Sequence, residues 1–270
     1  MNELALFAGA GGGILGGHLL GWRTVCAVER DAYAAQVLAA RQNDRTLRPF
    51  PIWSDVCSFD GRPWRGIVDV VSGGFPCQDI SAAGNGAGID GKRSGLWGEM
   101  ARIVCEVQPC YVFVENSPML TSRGLGRVLG DLAALGFDAE WGIISAADTG
   151  APHLRERLWV VANARSGRCG PQGEGQMEQP RRAEAKCPGK AVGPDVDSSR
   201  QLQQERGKPD ERRWPYHNAS AIRGNRWPLE PGVGRMVHGL ANRELRIAAL
   251  GNGQVPRVAA AAFHLLSSRI

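Results

Sequence analysis

The chain has 270 residues, 43% of them hydrophobic and 22% charged, with a net charge of +5. This is room for one large domain, or for a core of roughly 200 residues with a small lobe, and it excludes a disordered or fibrous protein. Its longest apolar runs, such as 68–71, 111–114 and 259–263, fall far short of the roughly 20 residues that span a bilayer. Met1-Asn2-Glu3 enters a strand-like run without a basic leader, so the expectation is a cytoplasmic protein with no membrane partner.

In chain order, residues 4–7, 24–29, 68–72, 111–115, 139–145 and 158–162 read as strands, with a further short one ending at Trp53. Residues 32–41, 96–107 and 126–135 carry helical patterns, the second stopped by Pro109. Such alternation predicts an α/β fold, a mostly parallel Rossmann-like sheet with helices on both faces. From 164 to 226 the texture changes. The stretch holds four Ile, Leu or Val residues, and residues 165–226 carry thirteen Lys/Arg against eight Asp/Glu, while the rest of the chain balances at nineteen each. That segment cannot build much core of its own, and reads either as a linker or as a basic lobe that grips a polyanion; Arg outnumbering Lys ten to three favours planar contacts to phosphate or guanine. The division expected is 1–163, 164–227 and 228–270, the last returning to the first.

Seven cysteines (26, 57, 77, 105, 110, 169 and 187) include no CxxC pair. No disulfide framework and no zinc or other metal site is expected, and about six of the thiols read as reduced, small core residues.

The first strand runs into Ala8-Gly9-Ala10-Gly11-Gly12-Gly13, a glycine-rich turn where a nucleotide-type ligand can approach the backbone. Glu29 closes the second strand, placed to accept hydrogen bonds from ribose hydroxyls, and Asp55 follows the third, near the place of an adenine ring. At the same sheet edge the fourth strand breaks into Gly74-Phe75-Pro76-Cys77-Gln78, and the fifth delivers Glu115-Asn116. A solitary loop cysteine is ordinarily inert; beside a cofactor loop and a carboxylate its thiolate becomes a candidate nucleophile.

These pieces, with Arg155-Glu156-Arg157 and Gly251-Asn252, occur in the order found in DNA (cytosine-5) methyltransferases of bacterial or phage type, and the chain resembles that family over about 1–163 and 228–270. The resemblance implies a Rossmann-like methyltransferase fold whose variable target-recognition region is 164–227. It implies that Cys77 attacks C6 of cytosine, with Glu115 and the pair Arg155 and Arg157 supporting the activated base. S-adenosylmethionine would be held by Phe7, Gly9, Gly11 and Gly12, by Glu29 and Asp55, and by Pro76, Leu96 and Asn252. Double-stranded DNA would meet the glycine-rich loop 81–95 through Ser81, Lys92 and Arg93, and the recognition region through Arg212 and Arg213. A monomer without an obligatory protein partner, acting in restriction-modification or as an orphan or phage enzyme, completes the expectation. His153 stands where the family usually has Gln, and the recognition region is short.

Three other readings stay open on residues alone. An RNA cytosine-5 methyltransferase would share the chemistry. A nicotinamide oxidoreductase would use Gly11, Gly13 and Gly16, which satisfy G-x-G-x-x-G, but would leave Cys77 and Glu115 without a joint role. An inactive DNA-binding relative would be expected to have lost at least one of the family residues.

Overall fold

A computed structural model describes residues 1–76, 96–165 and 243–270. Seven strands, β1 (Asn2–Leu6), β2 (Arg23–Val28), β3 (Ile52–Trp53), β4 (Val70–Gly73), β5 (Tyr111–Asn116), β6 (Phe137–Ile144) and β7 (Arg157–Ala164), form one sheet in the order β3-β2-β1-β4-β5-β7-β6. β3 through β5 run parallel, and β7 is antiparallel to both of its neighbours. The described helices are α1 (Gly12–Leu19), α2 (Ala32–Asn43), α3 (Leu96–Val107), α4 (Leu120–Arg123), α5 (Leu125–Ala134), α6 (Arg243–Asn252) and α7 (Pro256–Ser267).

The mostly parallel Rossmann-like sheet expected from the sequence is present. Its last two strands depart from the alternation, because β6 and β7 are joined by a single 3-10 turn at Ala147–Thr149 and not by a covering helix. Without a crossover the chain can only fold back antiparallel. β4 also begins at Val70 and not at 68, since the Val68 amide is spent on the Trp64 carbonyl in the preceding turn.

Alternate residues of the strands point to opposite faces of the sheet and feed cores on both. Leu4, Leu6, Val71, Val112 and Val114 pack with Met100, Ile103 and Val104 of α3 and Val128 and Leu132 of α5. On the other face Val70, Phe113, Trp159 and Val161 meet Trp22 and the α7 residues Val258, Ala259, Ala262 and Phe263. Pro256 opens α7 at a first-turn position that has no use for its missing N–H. α7 then lies directly on α1: a Cβ on Gly16 would stand 2.7 Å from the Ala259 methyl, so only glycine lets the two helices approach this closely.

One carboxyl is sealed in. Glu3, 1% exposed, accepts from the Thr24 hydroxyl of β2 at 2.8 Å and the Ser72 hydroxyl of β4 at 2.6 Å. Burial raises its pKa to about 7 despite those two bonds.

The expectation that no disulfide forms and that about six thiols are reduced core residues needs correction. Cys105, in the last turn of α3, and Cys110, just before β5, are disulfide-bonded. The chain reverses between them at Gln108 (φ 53°) and Pro109, which carries residues close in sequence from helix to strand; no CxxC spacing announces this. Of the two free cysteines among the described residues, Cys57 is exposed and Cys26 fits the core reading, its thiol pushed up to about 11 by burial. Among the described residues no helix is long and apolar enough to cross a membrane.

Candidate active site

The carboxyl edge of β1 bends through Phe7 (φ 52°), Gly9 (φ 54°) and Gly11 (φ 92°) into α1. Left-handed φ at Phe7 is unusual for a bulky residue, and such strain concentrates at functional turns. The turn is locked from β2: the Gly9 N–H donates to Glu29 Oε2 at 2.6 Å, and the Asp31 N–H to Glu29 Oε1 at 2.6 Å. Asp31 also caps α2, its Oδ1 accepting from the Ala34 N–H at 2.8 Å. Glu29 is thereby held rigid at the sheet edge, and each oxygen keeps a lone pair for a hydroxyl donor. Asp55, one strand further out and half-buried, accepts the Cys57 N–H at 3.0 Å in a turn of its own and does not border the crevice described below.

Past β4, the Phe75 carbonyl accepts from Asn116 Nδ2 at 3.2 Å, so the run that enters Pro76 is tied to the end of β5. Asn116 is 2% exposed, and its Oδ1 accepts the Ser117 N–H. Glu115 lies between these strands with 12% of its side chain exposed, and its Oε1 pairs with Arg157 Nε at 2.8 Å. Burial raises the Glu115 pKa to about 6, against the opposing pull of Arg157 and Arg155. Such a carboxyl exchanges its proton near neutrality, as acid-base chemistry at physiological pH requires.

Arg157 opens β7. Because that strand is antiparallel, its first residue stands at the edge where the parallel strands end. Arg155 sits two residues earlier at φ 36°, and its Nη2 donates to the carbonyls of Gly251 at 2.7 Å and Gly253 at 2.5 Å. Its pKa is lowered, chiefly by burial and then by Arg157. His153 is exposed on the same connection.

A crevice opens between the ends of β1 and β4, bordered by Phe7, Gly9, Gly13, Ser72, Gly74, Glu115, Asn252 and Gln254. This is the point where sheet order turns from decreasing to increasing strand number, the usual ligand position in open α/β sheets. Phe7, Gly9, Glu115 and Asn252 of the expected residues thus meet at one place; Gly11 and Gly12 belong to the turn that enters α1 and do not border the crevice, and Leu96 begins α3, packed against the larger core. Cys77, Ser81, Lys92, Arg93, Arg212 and Arg213 lie outside the described residues, as does the 164–227 region beyond its first two residues. Gln254 is the site residue that sequence reasoning missed. A Cβ on Gly12 would collide with its carbonyl oxygen, and one on Gly13 would stand 2.5 Å from its Oε1. The consecutive glycines signalled a close approach without naming what approaches.

Three comparisons bear on this arrangement. M.Eco47II, a Type II methyltransferase of Escherichia coli, is 35% identical over 164 residues, 59% of this chain and 38% of that protein. M.NgoBI, a Type II methyltransferase of Neisseria gonorrhoeae, is 34% identical over 59% of this chain and 50% of its own length. The chain therefore spans about two fifths to one half of these relatives. The crystal structure of the S. pombe Dnmt2 methyltransferase superposes with a TM-score of 0.50 at 19% identity, covering 61% of this chain and 51% of that one, a likeness of fold. The family model for C-5 cytosine-specific DNA methylases matches residues 1–227, most of the chain, and the chain belongs to that family.

Proposed function

We propose that this chain is a DNA (cytosine-5-)-methyltransferase that moves a methyl group from S-adenosylmethionine to C5 of a flipped-out cytosine, at a short specific sequence in double-stranded DNA. One observation carries the reading: a largely buried Glu115, paired with Arg157 at 2.8 Å, borders the same crevice as the glycine turn that Glu29 organises.

The residues present fit the methyl donor. Gly9 borders the crevice with open space where a Cβ would stand, and its N–H is fixed by Glu29, whose carboxylate keeps lone pairs for hydroxyl donors beside the turn. When bound, S-adenosylmethionine supplies an electrophilic methyl on sulfonium. Phe7, Gly9, Gly11 and Gly12 shape the turn beside it, Pro76 and Leu96 flank residues 77–95, and Asn252 closes the far wall; Asp55 serves the adenine end.

The chemistry of this chain's own residues follows from cytosine. C5 is a poor nucleophile until something adds to C6, and Cys77 as thiolate makes that bond. Electron density then builds at N3 and O2. Protonated Glu115 donates to N3 and accepts from the exocyclic amine, and Arg157, with Arg155 behind it, stabilises the charge at O2. After methylation a water takes the C5 proton, the electron pair of that C–H bond re-forms C5=C6, and the Cys77–C6 bond breaks with its pair leaving on the thiolate. Reaching these atoms requires the base to leave the duplex, at roughly a few kcal/mol. Ser81, Lys92 and Arg93 hold the opened DNA, and 164–227, through Arg212 and Arg213, reads the site. Residues 1–163 and 228–270 together form the catalytic domain of a cytoplasmic enzyme of the restriction-modification type.

The test incubates the chain with S-adenosylmethionine and mixed-sequence duplex DNA, followed by bisulfite sequencing, with Cys77→Ser as control. Conversion-resistant cytosines in one recurring context, absent with Cys77→Ser, are expected. Resistance confined to added tRNA would overturn the DNA assignment, and retained activity in Cys77→Ser would overturn the covalent mechanism.

A further inference from the structure

We propose that Trp159 acts through Glu115 as a positioning residue: standing opposite it across β5 and β7, the indole walls one side of the carboxyl and keeps water from it. The inference rests on the methyltransferase reading and goes beyond it, because it ties the acid form of Glu115 to a residue that does not border the crevice.

The register of the sheet makes the two residues neighbours. β5 and β7 are antiparallel, with Glu115 paired to Trp159 and Phe113 to Val161. Residues directly opposed in this way share a face and bring their Cβ atoms to roughly 5 Å. That face is the one α7 covers, where the Trp159 ring, 1% exposed, stacks on Phe113 with 5.2 Å between centroids and 17° between planes. Phe113 in turn lies edge-on to Phe263 of α7, so the indole cannot swing aside without disturbing both rings. Trp159 offers the carboxyl no hydrogen bond, since among the described residues its Nε1 has no partner. What it brings to Glu115 is apolar surface.

Arg157, two residues earlier in β7, shares that face and pairs with Glu115 at 2.8 Å. One strand thus sets two opposed influences beside one carboxyl: a cation that favours the carboxylate, and an indole that excludes the water a carboxylate needs. Among the described residues the charged groups acting on Glu115 are Arg157 and Arg155, both favouring the ionised form, while Gly74, Asn252 and Gln254 around the crevice are uncharged. Burial prevails over the two cations and raises the Glu115 pKa to about 6. Trp159 is the largest side chain that β7 contributes to that burial.

The experiment titrates Glu115 directly, by NMR of its carboxyl carbon with the resonance assigned by its loss in Glu115→Gln, and records kcat/KM against pH in the same variants. Trp159→Leu opens the wall to water, and the carboxyl midpoint should fall from about 6 toward the ordinary 4.5. In consequence kcat/KM at pH 8 should drop about tenfold below that of the unaltered enzyme, and at pH 5 stay within about twofold of it. Trp159→Phe, which keeps an apolar ring against Phe113, should restore most of the midpoint. Trp159→Met keeps more bulk and takes the place of Trp159→Leu if that variant does not fold; it should move the midpoint the same way by less. An unmoved midpoint in the Leu or Met variant, or a loss of kcat/KM by one factor at every pH, would make Trp159 a packing residue alone and overturn the assignment. A midpoint that falls while the pH profile of kcat/KM stays where it was would uphold the effect of Trp159 on the carboxyl, and would instead overturn Glu115 as the acid of the proposed reaction.

Discussion

The sheet divides at β1 and β4 into halves that prepare their ligand groups differently. In the β3-β2-β1 half the backbone does most of the work: a strained turn presents N–H groups, and one carboxylate, Glu29, fixes it through the amides of Gly9 and Asp31. In the β4-β5-β7 half side chains dominate, and two of them meet because one strand runs the wrong way. β7 covers eight residues, roughly 26 Å at about 3.3 Å per residue. Had it been parallel to β5, Arg157 would stand at the opposite edge, far from Glu115. The comparison teaches that a parallel sheet offers strand ends and helix starts suited to binding a nucleotide, while an inserted antiparallel strand adds cationic side chains to that same edge.

The largest expected effect breaks the side-chain half alone. Glu115→Gln should lower kcat by about 10²–10⁴-fold, roughly 3–5 kcal/mol, with donor affinity nearly unchanged. The unaltered enzyme should also lose kcat/KM as pH rises through about 6, because burial raises the Glu115 pKa and the acid form is the one that donates. A kcat/KM flat from pH 5 to 8 would deny Glu115 that role. If Glu115→Gln weakened the donor as strongly as it slowed turnover, the two halves would not be separable.

Next in size is a stability effect where both halves join. Glu3 in β1 accepts from β2 and β4 at once, and its pKa is raised to about 7 by burial. The folded state therefore binds more protons than the unfolded one between about pH 4.5 and about 7, so this group's contribution is full below that window and falls as pH rises through it. Glu3→Gln should flatten that slope and be the more stable form at pH 8, by up to ~3 kcal/mol. Urea denaturation at pH 5 and pH 8 checks it; a variant that is less stable at pH 8 would mean the ionised carboxylate is what the two hydroxyls hold.

The backbone-dominated half yields a smaller change. Glu29→Ala removes the acceptor of two amides and, on the proposed function, of a ribose, so donor affinity should fall about ten- to a hundredfold with nonspecific DNA affinity unaltered. Calorimetry with S-adenosylhomocysteine beside a salt titration of DNA binding separates the two. An equal loss on both ligands would contradict the division drawn above.

What could be read in advance was what is local. The glycine turn, Glu29 at a strand end and the stop at Pro109 each depend on a few adjacent residues, and the structure has them as expected. The direction and place of β7 depend on which strand it joins, and its run of Leu158 to Ala162 would look the same parallel or antiparallel. The contacts of Gln254 with Gly13 and Gly74 and of Arg155 with Gly251 likewise join residues far apart in the chain, for which the sequence carries no periodic signal.

Arg155 is where that distant joining can be tested most gently. Its two bonds to the carbonyls of Gly251 and Gly253 fasten the end of α6 to the entry of β7, and so hold Asn252 and Gln254 against the crevice. Arg155→Gln cannot reach both carbonyls. Because the side chain is partly exposed, the loss in global stability should be only about 1 kcal/mol. The local effect should be larger, since the segment after α6 gives up its attachment to the β7 entry: amide exchange at residues 251–255 should quicken while β1 and β5 stay protected. Arg155→Lys, with one charged group in place of the planar fork, should recover part of that protection and not all of it. Unchanged exchange at 251–255 in Arg155→Gln would mean that α7 packing on α1 suffices to hold this wall of the site, and that the guanidinium is free to serve the base alongside Arg157.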